Sequence, residues 1–110
     1  MDERERRIGE NEALFRMVND EVRGLNRRFE ANADPMSVIC ECGRVDCTDR
    51  LELQPPEYEA VRENGRLFAI KPGHDDPQVE RVVERHANYW IVEKDEGAAA
   101  ELAEASDPRS

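Results

Sequence analysis

Aromatic side chains are scarce in this chain, with one tryptophan, two tyrosines and three phenylalanines among 110 residues, so the rings that anchor most cores are few. Long apolar runs are missing. Nothing approaches the roughly 20 residues that cross a bilayer, and the opening Met1-Asp2-Glu3-Arg4-Glu5-Arg6-Arg7 is charged where a secretory signal is apolar. The expectation is a cytoplasmic protein with no membrane partner. Basic residues are in deficit: 16 against 26 acidic ones leave a formal charge of -10. Such a balance repels phosphate backbones and argues against direct contact with nucleic acid. A Gly-rich phosphate loop, H-E-x-x-H, G-x-S-x-G and the zinc-deaminase pattern are all absent, so familiar phosphoryl-transfer and hydrolytic chemistry has no foothold. A non-enzymatic protein is expected.

Cysteine is also sparse, but its three copies are concentrated. Cys40-Glu41-Cys42-Gly43-Arg44-Val45-Asp46-Cys47 has the spacing C-x-C-x4-C. An odd number of thiols within eight positions does not read as a disulfide framework, whereas three donors so close in sequence can surround one ion at little cost in chain entropy. Structural zinc takes four tetrahedral ligands. The fourth is sought among two histidines: His74, in the turn-rich loop Pro72-Gly73-His74-Asp75-Asp76-Pro77 after a strand, and His86, farther along. His74 is the preferred partner of Cys40, Cys42 and Cys47; His86, an acidic residue or water are the alternatives. Ordinary buried cysteines and redox-active thiols beside Arg44 and Arg50 are competing readings of the same cluster.

A chain of 110 residues supports one core, and equal apolar and charged fractions of 38% keep it modest. Around that core three regions are expected: an N-terminal amphipathic helix within residues 1–33, a zinc-binding β-rich core over 34–95, and an acidic flexible tail over 96–110. In the first, Phe15, Val18, Val22, Leu25 and Phe29 recur at helical spacing, forming a stripe that packs on the protein's own sheet or meets a second copy or a partner helix. In the second, Met36–Cys40 and Arg50–Leu53 suit a hairpin with the cysteines at its tip, followed by a short helix from Pro55 to Arg62 and a strand over Arg66–Lys71. Val79–Arg85 and Tyr89–Lys94 suit a second hairpin, with a helix over Pro77–His86 as the alternative. The fold class is α+β: an amphipathic helix on a small, mostly antiparallel, zinc-stapled sheet with a short middle helix.

Glu10-Asn11-Glu12-Ala13-Leu14-Phe15-Arg16, Cys40-Glu41-Cys42 with Cys47, Tyr58-Glu59-Ala60-Val61-Arg62, Pro72-Gly73-His74, Val82-Val83-Glu84 and Tyr89-Trp90-Ile91-Val92-Glu93-Lys94 together resemble a family of small acidic uncharacterised actinobacterial proteins. The resemblance covers most of residues 10–95. It implies cytoplasmic placement and an intact cysteine set with the Pro-Gly-His loop, and it carries no activity. The function expected is a zinc-binding regulatory or protein-interaction module with a structural Cys3His site, partnered by an unidentified protein or a second copy through the N-terminal helix. The alternative is a thiol-based redox or zinc sensor whose metal release alters that contact.

Overall fold

The structure, a computed structural model, describes residues 3–28, 35–44 and 46–109, without the side chains of 25–28. Three helices and five short strands follow in the order α1 (Glu3–Arg28), β1 (Met36–Ile39), β2 (Arg50–Leu53), α2 (Pro55–Arg62), β3 (Leu67–Ile70), β4 (Glu80–Arg85), β5 (Trp90–Lys94) and α3 (Ala98–Ala105). The α+β class is as expected. Antiparallel pairing holds throughout, but it is divided between two sheets: β1 with β2, and β3-β5-β4 with β5 in the centre.

Alternation explains the first sheet. Met36, Val38, Leu51 and Leu53 are buried while Ser37 and Glu52 face out, so the register that pairs Met36 with Leu53 and Val38 with Leu51 puts all four on the core face. In the second sheet Phe68, Ala69 and Ile70 are buried in succession, as expected of a strand covered on both faces. Residues 80–94 form the hairpin and not the alternative helix, with a bulge in β4 between Val82 and Glu84. The two sheets meet where Glu41 N–H donates to Ala69 O at 2.9 Å. Prolines at the first two positions of α2, and the Glu57 carboxylate accepting from Gln54 N–H at 2.7 Å, start that helix.

The face of α1 that is fully buried is not the apolar stripe. Glu12, Arg16, Asn19 and Arg23 are buried, while Phe15, Val18 and Val22 are partly buried. Leu14 and Met17 are 49% and 43% exposed. Phe29 and the Leu25 side chain lie outside the described residues. The polar face is tolerated because each member meets a group from another part of the fold. Arg16 donates to Gly65 O (2.7 Å) and Ala103 O (2.8 Å), and its guanidinium lies 4.4 Å from the Phe68 ring centroid. Asn19 serves β1 as a neighbouring peptide would: it accepts from Ile39 N–H and donates to Ile39 O, both at 2.8 Å. Lys94 donates to Glu12 and Glu80, each at 2.6 Å.

The segment expected as a flexible acidic tail carries α3. Ala100 and Ala103 are buried, and Leu102 lies so close to Gly9 of α1 that a side chain at Gly9 would meet it. Arg62 pairs with Asp107, and Arg109 with Asp20 at 3.0 Å and Glu59 at 2.7 Å. Small alanines allow close packing on α1, and salt links hold the following turn.

Candidate metal centre

The β1–β2 hairpin carries residues 40–44 and 46–49 at its tip, folded back by backbone bonds from Cys40 N–H to Asp49 O (2.8 Å) and from Cys47 N–H to Arg44 O (3.1 Å). Gly43 lies within this loop at φ 78°, a left-handed conformation that side chains disfavour. A Cβ there would also stand 2.4 Å from Ile8 O of α1. Across the tip, β3 ends in Lys71-Pro72-Gly73-His74, closed by His74 N–H to Lys71 O at 3.0 Å with Gly73 at φ 88°. Proline followed by a positive-φ glycine is the signature of a type II turn. This turn returns His74 toward the cysteines.

Cys40, Cys42, Cys47 and His74 come together as one group that could hold a metal ion, with their donor atoms all within 4.8 Å of one another. His74 Nδ1 stands 3.5 Å from Cys47 Sγ and 3.9 Å from Cys40 Sγ. Zinc bonds of about 2.3 Å to sulfur and about 2.0 Å to nitrogen give tetrahedral edges of about 3.5–3.8 Å, so the observed spacing suits one ion of this kind. The three cysteines are buried and free of disulfide bonds. His86 takes no part: its exposed Nε2 meets Glu84 at 2.9 Å, and its ring stacks on Tyr89 at 4.4 Å.

Three thiols this close cannot all shed their protons unaided. Cys42 is brought down to about 5, chiefly by the hydrogen bond from Cys40, with Arg44 N–H, His74 and Cys47 assisting against the opposing effect of burial. Cys40 is pushed up by the same bond and by burial, and Cys47 is pushed up chiefly by burial. Burial and mutual contact thus oppose ionisation of the whole set, and a divalent cation would supply the charge that makes all three thiolates favourable. Supporting contacts surround the donors. Lys71 N–H donates to Cys40 Sγ at 3.1 Å, while the Lys71 ammonium binds Asp49 at 3.1 Å.

Between two of the ligands, Glu41 points into the core and is fully buried. Its carboxylate accepts from Asn19 (2.7 Å), Ala69 N–H (3.0 Å) and Tyr58 OH (3.4 Å). Burial raises it to about 6, against the lowering effect of those bonds and of Arg62 and Arg16. Sequence reading overlooked Glu41, although a carboxylate between two buried ligands must alternate to the opposite side of an extended chain. On the solvent side, Cys42 and His74 line a cleft of about 880 Å³ with Arg4, Arg7, Ile8 and Asn11 of α1 and Arg44 of the loop. Among the described residues no helix is long and apolar enough to cross a membrane. No family model, curated protein or solved structure matches the chain.

Proposed function

We propose that this protein is a non-enzymatic zinc-binding module of the cytoplasm, in which a Cys3His site staples the hairpin tip to the loop after β3 and the folded surface serves contact with a protein partner. The convergence of four donor atoms within 4.8 Å, from segments far apart in sequence, carries this reading. Three thiolates with one imidazole form a donor set that suits zinc, whereas iron–sulfur clusters ordinarily take four cysteines. Four protein ligands complete a tetrahedral shell and leave no position for a reacting water, so the metal acts structurally. The exposed Leu14 and Met17 on the outer side of α1 support a contact role for that helix, with a protein partner or a second copy.

Metal analysis of the reduced, purified protein tests the site. One zinc per chain is expected in the wild type and in His86→Ala, with marked loss in His74→Ala and in serine variants of Cys40, Cys42 or Cys47. A wild type without stoichiometric metal sinks the reading.

A second reading, a thiol-based redox or zinc sensor, draws support from the open cleft beside Cys42 and His74. Peroxide would take two electrons from two of the thiolates, forming a disulfide and water and releasing zinc. Recovery with reductant and added zinc is the expected result; metal retained through oxidation counts against a sensor.

A further inference from the structure

The ligand loop is in direct contact with the first turns of α1. Asn11 Nδ2 donates to Gly43 O at 3.1 Å. Gly43 follows the ligand Cys42, and only its missing side chain lets Ile8 O and Glu12 Cγ approach as closely as they do. Leu102 of α3 packs against the same turns at Gly9. On their inner side a void of about 20 Å³, room for about one water, lies among Ile8, Gly9, Phe68, Val79 and Leu102. Farther along the helix, side-chain bonds to other elements run from Glu12, through Lys94, to Arg16, Asn19 and Asp20.

From this arrangement we infer that metal occupancy of the Cys3His site controls whether the turns of α1 before Glu12 stay docked, so that the metal-free protein releases them while the rest of the helix remains seated. The inference rests on the zinc reading above and adds its structural output. With zinc bound, Cys42 and Cys47 fix the loop and hold the Gly43 carbonyl under Asn11. Without it, the loop loses the tie to His74 and the platform for the helix shifts. Release uncovers the seam formed by Phe68, Val79 and Leu102, and with it a patch of apolar surface. By linkage the effect is reciprocal: contacts that dock the helix tighten zinc binding.

Hydrogen exchange on the full-length reduced protein, zinc-loaded and stripped by chelator, reads this directly. Amides of residues 7–12 should exchange at least about tenfold faster after stripping, while those of residues 16–24 and of β5 keep their protection to within about twofold. Equal exchange in the two states overturns the inference, and so does loss of protection throughout the molecule. Asn11→Ala removes one docking bond without touching a ligand, and zinc affinity should fall by about two- to tenfold; unchanged affinity also overturns it. Failure to bind zinc at all removes the zinc reading and this inference together, whereas stoichiometric zinc with an indifferent helix removes this inference alone.

Discussion

Asn19 binds both backbone groups of Ile39 and the Glu41 carboxylate through one amide. Truncation would leave one buried and two partly buried polar groups short of a partner, and each such group costs about 1–3 kcal/mol less whatever water can recover. Asn19→Ala should therefore lower unfolding free energy by about 2 kcal/mol or more in denaturant titration, whereas Leu14→Ala on the exposed side should change it little. Glu12 provides a residue-level test in pH. Burial raises it from an ordinary 4.5 to about 8, with Glu80 and Cys42 acting in the same direction and Lys94 opposing. Its folded form holds a proton that its unfolded form has released, so its contribution is complete below about 4.5 and is lost as pH climbs through about 8. The difference in stability between the wild type and Glu12→Gln, both metal-free and reduced, should fall across that window; a pH-independent difference would contradict the assignment.

At the scale of elements, the strands and α2 were legible because they follow local rules: alternation in β1 and β2, prolines at the start of α2, and Pro-Gly ending β3. The Cys3His cluster was legible because three donors lie in eight positions and only two histidines compete for the fourth. What escaped was the orientation of α1. Hydrophobic periodicity assumes that the apolar face turns inward, but Glu12, Arg16, Asn19 and Arg23 share the same helical spacing, and their partners come from β1, β5, α2 and α3. No local pattern reveals such partners. α3 escaped for a similar reason: an Ala- and Glu-rich stretch looks soluble, and only the surface waiting for Ala100, Leu102 and Ala103 makes it a packed helix. Removing residues 98–110 should therefore act as a core deletion. It withdraws Ala103 O from Arg16 and Asp107 from Arg62, and the expected result is a loss of about 3 kcal/mol or more by denaturant titration.

For the whole molecule, a small core and a formal charge of -10 leave stability dependent on ties between distant segments. The proposed zinc joins residues 40–47 to residue 74. Binding confined to the folded state, with free zinc about a thousandfold above its dissociation constant, adds about 4 kcal/mol, so chelation should lower the melting temperature by about 10 °C or more. An unchanged melting temperature in chelator would leave the staple without energetic meaning.

The enclosure of Lys94 between Glu12 and Glu80 has a practical consequence. Lysine occurs twice in the chain, and Lys94 is 5% exposed, which withholds its amine from acylating reagents. Lys71 alone offers an accessible ammonium on a side chain, half-exposed and at the rim of the cysteine cluster. Amine-directed labelling should thus place a fluorophore on one side chain, beside the centre whose occupancy it would report.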